Sequence, residues 1–157
     1  MKTAIAALSI AILIQLPLGY FFISLESLVL GHGFIDIRDG VEFYLLAALI
    51  IAAAVIIFLG MPTYFTLKHF KYNSTLNVAF AGFVIPALIL SFLNFGITDY
   101  QGYSAGENYY GTYRATFSDG NRTFWGWVKF LEGLATYGIH GILGAITFHI
   151  IYVKQNA

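Results

Sequence analysis

The feature that most constrains this chain is its set of long, uninterrupted apolar runs. A helix needs roughly 20 apolar residues to cross about 30 Å of hydrocarbon. Four segments reach that length: about Thr3 to Leu25, Glu42 to Met61, Leu76 to Ile97 and Lys129 to Val153. Inside lipid every backbone N–H and C=O must find a partner within the protein, so runs of this kind are helices. A membrane barrel would instead show alternating segments of about ten residues, and the chain has none. The runs predict an all-α fold, a single four-transmembrane-helix bundle over residues 1–157.

Composition narrows the class further. Soluble domains carry about 25% charged residues, whereas this chain has 10% charged and 59% hydrophobic residues. There are too few charges to cover a water-facing surface, which excludes an ordinary soluble domain and a disordered chain. No basic tract is dense enough for nucleic acid. The chain has no cysteine, so disulfide scaffolds and thiol chemistry are excluded. Phosphate-binding glycine loops, nucleophile elbows and zincin motifs are also missing. The expectation is a non-enzymatic protein without a cofactor.

Charge placement sets an orientation. Lys2 precedes the first span, Lys68 and Lys71 lie between the second and third, and Lys154 follows the fourth. Every acid (Glu26, Asp36, Asp39, Glu42, Asp99, Glu107, Asp119 and Glu132) falls toward the other side. The positive-inside rule then puts both termini in the cytoplasm of a cell with a multi-pass inner-membrane protein. The loops Glu26–Val41 and Thr98–Phe124 face outward. The first apolar run exceeds the 7–15 residues of a signal-peptide core and lacks a small-x-small cleavage site, so it reads as a retained span.

Helix association in lipid relies on small residues that let backbones approach. The fourth span is rich in them, with Gly141 and Ala145 forming a small-xxx-small step, and the second offers Ala47, Ala48 and Ala52–Ala54. These faces predict closely spaced helices and serve a homo-oligomer interface equally well. Pro86 should kink the third span, since it removes the backbone bond to Gly82. Pro62 reads as the end of the second.

Polar groups at membrane depth are pointers to function. Gln15 and His140 lie at matching depth in the first and fourth spans, where a hydrogen bond would satisfy both. About 100° of rotation per residue places Lys129, Glu132, Thr136, His140 and Thr147 in one arc. That arc reads either as a polar track for a proton or small cation, or as a structural network in which Glu132 pairs with Lys129 and His140 bonds Gln15 or Thr136. The four histidines do not match in depth and face as a haem would need. His32, Asp36, Asp39, Glu42 and Glu26 read as a solvated acidic loop rather than a metal site.

The segment between the third and fourth spans is the most distinctive. Ser118-Asp119-Gly120-Asn121 separates two β-prone runs, Thr112–Phe117 and Arg122–Trp127, and Asp-Gly favours a tight hairpin turn. In that register Arg114 faces Trp125 as a cation–π pair. Tyr109, Tyr110, Tyr113, Arg114, Phe117, Trp125 and Trp127 then form either an aromatic belt at the membrane interface or a surface for a protein partner. Asn121-Arg122-Thr123 also matches a glycosylation sequon.

Three elements carry a resemblance. They are Gly60-Met61-Pro62 with its short basic loop, the glycine- and alanine-rich start of the third span, and the run Gly138–Phe148. In layout the chain resembles uncharacterised bacterial four-span inner-membrane proteins. Immunity proteins against membrane-acting toxins share that architecture. The resemblance implies a compartment, and with it a partner-binding protein of the immunity type or an accessory subunit. A small oligomeric channel using the stripe through His140 is the alternative, and an outer-face enzyme using Glu26, Asp36 or His32 comes last.

Overall fold

The structure, a computed structural model, describes residues 2–29, 40–95, 101–109 and 111–154. It is mostly helical, with four helices long and apolar enough to cross a membrane and one small antiparallel sheet. The first helix runs from Thr3 to Leu28 but is interrupted at Ile14, giving α1 (Lys2–Leu13) and α2 (Gln15–Val29). Pro17 explains the interruption, because it has no N–H to donate to the Leu13 carbonyl. The chain stays helical in course, since Ile14 N donates to Ile10 O at 3.0 Å and Leu18 N to Ile14 O at 3.4 Å.

The second helix extends from Val41 to His69 and corrects the expectation that Pro62 ends it. It comprises α3 (Val41–Val55), a π-turn (Ile56–Gly60) and α4 (Met61–His69). Pro62 cannot donate to Phe58. The π-turn widens the helix just before it, with the Met61 N–H reaching back to the Ile56 carbonyl, and the helix continues through the proline. The third helix, α5 (Thr75–Phe95), carries Pro86 in its interior without a break in helical assignment. The fourth, α6 (Phe124–Lys154), begins at Phe124 rather than Lys129.

That early start also corrects the expected hairpin. The sheet has three strands in the order β1 (Ala105–Tyr109), β2 (Thr112–Ser118), β3 (Asn121–Arg122). Asp119 and Gly120 both have positive φ, 50° and 77°, as the tight turn requires. Beyond the turn only Asn121 and Arg122 pair with β2, and β1 supplies the longer ladder. Thr123 ends the strand by capping the helix. Its Oγ1 accepts from Gly126 N at 3.2 Å and its carbonyl from Trp127 N at 3.0 Å. Phe124, Trp125 and Trp127 are therefore helical.

Small residues bring the helices together. A Cβ built on Gly82 of α5 would lie 2.5 Å from the Gly141 carbonyl oxygen and 2.7 Å from Ala145 Cβ of α6. The small-xxx-small step of the fourth helix is thus the seam with the third. Ala7, Ala11, Tyr64, Val78 and Phe148 form the buried cluster. Large apolar side chains such as Phe43, Phe58, Leu76 and Phe80 point outward. This inside-out distribution is what a hydrocarbon solvent permits.

Candidate functional site

Among the described residues polar chemistry collects at the sheet end of the bundle, in the middle of α1, α2 and α6, and around Tyr64 and His149 toward the other end. At the sheet end the first turns of α6 lie against the sheet. Tyr109, only 6% exposed, donates its hydroxyl to Glu132 and packs its ring on Trp125 at 5.2 Å. The Arg114 guanidinium sits 4.7 Å from the Trp125 ring, the pairing expected from the sequence although Trp125 reaches it from a helix. Lys129 Nζ lies 3.2 Å from Glu26 Oε1 and 3.6 Å from Glu107 Oε2, so one lysine ties α2, β1 and α6 together. Glu26 and Glu107 are the carboxylates in direct contact with Lys129, while Glu132, which also adds to the negative field around Lys129, accepts from Tyr109.

Arg122 makes a second knot. Its guanidinium lies 4.8 Å from the Phe117 ring, 5.2 Å from Phe95, 5.3 Å from Phe130 and 5.6 Å from Trp127. It donates to Gly126 O at 3.2 Å and to Asn94 Oδ1 at 3.1 Å. Beside it is a cavity of about 400 Å³ between the sheet and the ends of α5 and α6, reached also by Lys129 and Glu107. Sequence reasoning placed Arg122 at the start of a β-prone run and within a sequon, and gave its side chain no contact. Of its aromatic neighbours, Phe95 on α5 is distant in sequence, and Trp127 and Phe130 reach it only because α6 begins at Phe124.

The residues singled out as a partner surface therefore divide. Tyr113 at 71% and Trp127 at 46% are exposed. Tyr109, Arg114, Phe117 and Trp125 instead hold the sheet to the helix. Tyr110 lies outside the described residues, as do His32, Asp36 and Asp39. Phe124, at 72% exposure, and Tyr103 add to the accessible aromatic surface.

In the middle of the bundle, His140 Nδ1 lies 2.8 Å from Gln15 Oε1, so the pair expected from matching depth is present. Gln15 Nε2 donates to Ala11 O at 3.2 Å and reaches His140 O at 3.5 Å. Two carbonyl oxygens on that side identify it as the NH₂ side of the amide. The amide oxygen then faces Nδ1, and His140 carries its ring proton there. Phe22 packs on the imidazole at 5.1 Å. Gly144 makes room for the amide, since a Cβ there would stand 2.8 Å from Gln15 Nε2.

No family model, curated protein or solved structure matches this chain.

The stripe along α6 is thus split by its own partners. Lys129 and Glu132 belong to the sheet end, His140 belongs to Gln15, and Thr136 between them is half-buried and joins neither network. His149, on the opposite face, shares a 3.1 Å hydrogen bond with the Tyr64 hydroxyl, and His69 packs on Phe70. Among the described residues no three His, Asp or Glu side chains are grouped to hold a metal ion. What the arrangement offers chemically is a braced aromatic display at one end and two hydrogen-bonded imidazoles inside, His140 and His149.

Proposed function

We propose that the chain is a multi-pass inner-membrane protein with both termini and the Lys68–Lys71 segment in the cytoplasm. We propose further that it acts by binding a protein partner outside, without catalysis, as an immunity-type protein or an accessory subunit of a membrane complex. Four long apolar helices support the first statement, together with helix ends at Lys68, Lys71 and Lys154 that carry no acid, while every acid falls toward the other side.

One observation carries the second. The sheet is fastened to α6 through Tyr109–Glu132 and Lys129, while Tyr113 and Phe124 remain exposed. An interfacial belt needs only aromatic rings at headgroup depth, and three strands braced by partly buried polar contacts exceed that need. Rigid aromatic side chains bind partners with little further loss of conformational freedom. The divided stripe on α6 gives the channel reading no continuous polar track.

A photoreactive residue at position 113 tests this reading in living cells. It should give a protein adduct of one mass, and combined Phe124→Ala and Trp127→Ala changes should remove it. Adducts with lipid alone would favour the belt and overturn the proposal.

A further inference from the structure

The second helix does not close against the rest of the bundle along its length. Near one end Leu45 packs close to Gly19 of α2. At the other, Tyr64 packs on Phe148 and Tyr152 and bonds His149. Between these two fastenings lies a cavity of about 460 Å³, walled by α3, α4, α5 and α6. It extends from Tyr44 to Tyr64 along the second helix, which is about 30 Å at the helical rise per residue. Ala48, Ala52, Ala81 and Gly141 line it. Ala48 and Ala52, which the sequence assigns to close packing, here face open space, and Gly141 borders it beside its seam with Gly82. The volume falls within the roughly 300–1,000 Å³ of small-molecule sites, and its length suits a hydrocarbon chain.

Gln15 and His140 both border this slot. The Gln15 amide is engaged by Ala11, His140 and the imidazole Nδ1. With the proton on Nδ1, Nε2 of the uncharged ring is an acceptor, and no described residue donates to it. A mostly apolar slot with an unengaged acceptor on His140, bordered otherwise by Gln15 and the hydroxyls of Tyr44, Thr63, Tyr64 and Tyr137, suits a ligand with a hydrocarbon body and an O–H donor. We propose that the slot between the second helix and the α5–α6 pair binds a lipid-soluble hydroxyl compound, such as an alkyl hydroquinone or a long-chain alcohol, whose hydroxyl donates to His140 Nε2. Gln15 is the positioning residue, because it holds the imidazole in the tautomer that leaves Nε2 bare.

The test uses the purified full-length protein with three probes: decylhydroquinone, its dimethyl ether and decanol. The hydroquinone should bind saturably, and the ether roughly tenfold more weakly for want of one hydrogen bond. Decanol binding as well as the hydroquinone identifies a general hydroxyl-lipid site, and binding of the hydroquinone alone identifies a phenol site. Ala52→Phe should fill the slot and abolish binding. His140→Leu should retain the apolar contacts and lose the preference for hydroquinone over ether. Equal affinity of the wild-type protein for hydroquinone and ether would overturn the proposal, and that comparison needs no variant to fold. Failure of all three probes to bind, or a preference that survives His140→Leu, would also overturn it. Neither result depends on whether the sheet engages a partner.

Discussion

Gly82 of α5 and Gly141 of α6 approach so closely that a Cβ on Gly141 would stand 1.9 Å from the Gly82 carbonyl oxygen and 2.8 Å from Pro86 Cγ. The obstacle is backbone, so it cannot swing aside. Gly141→Ala should force the helices apart and cost about 1–3 kcal/mol, the usual range for overpacking. Gly133→Ala is the control. Its Cβ would meet only Leu90 Cδ2, at an ordinary 3.6 Å, and helix propensity favours alanine by up to about 1 kcal/mol. Thermal unfolding in one detergent should show a clear loss for Gly141→Ala and none for Gly133→Ala.

The Gln15–His140 bond should be worth about 0.6–1.7 kcal/mol, as interhelical polar contacts in membranes are. A double-mutant cycle with Gln15→Leu and His140→Leu reads this directly, since the coupling remains after the separate packing effects cancel. A coupling indistinguishable from zero would show that the two residues are neighbours without being partners. Gly144→Ala should give a result close to Gln15→Leu alone, because the clash is with the movable end of the Gln15 amide.

Span length and matched depth made much of this legible beforehand. Four helices followed from apolar run length, the Asp119–Gly120 turn from its need for two positive φ values, and the Gln15–His140 contact from depth. The sheet was only half legible. Ala105-Gly106-Glu107-Asn108-Tyr109 lacks β-branched residues, and its strand form comes from pairing with β2 rather than from propensity. Arg122–Trp127 alternates like a strand, yet the Thr123 cap turns it into helix. Pro62 marks a helix end in most sequences, but here a π-turn absorbs the lost bond. Arg122 was missed because Phe95 and Phe130, two of its aromatic neighbours, flank the sheet segment in sequence and meet only in the fold.

The tight turn offers a local test of the sheet. Gly120 has φ 77°, a region where a Cβ costs roughly 1–2 kcal/mol. Gly120→Ala should therefore loosen β2–β3 while leaving the helices intact. Amide exchange should quicken at Asn121 and Thr123, whose N–H groups face β2, and stay unchanged in α5. Equal protection in the variant would mean that the sheet is held by α6 and not by its turn.

Lys129 should matter less for total stability than its position implies. Its two carboxylate partners leave it and them partly exposed, at 41% for Lys129, 61% for Glu26 and 40% for Glu107. Exposed pairs are worth about 0–1 kcal/mol. Lys129→Met should thus barely move the melting temperature but increase proteolytic cleavage within residues 105–118. Tyr109→Phe should act more strongly on the same cleavage, because the Tyr109 hydroxyl, on a residue only 6% exposed, ties β1 to Glu132.

Orientation can be read without background, because the chain has no cysteine of its own. Asn108 on β1 and Tyr72 after α4 are both exposed, and each accepts a cysteine with little change in packing. The lysine distribution places position 108 outside and position 72 in the cytoplasm. A membrane-impermeant maleimide added to cells with an intact inner membrane should label Asn108→Cys at once. It should label Tyr72→Cys only after the membrane is broken. The two positions lie at opposite ends of the bundle, so labelling of both or neither in intact cells would contradict the four-span arrangement. Labelling of position 72 alone would keep four spans and invert them, which would place the sheet and its exposed Tyr113 and Phe124 in the cytoplasm and require a partner there.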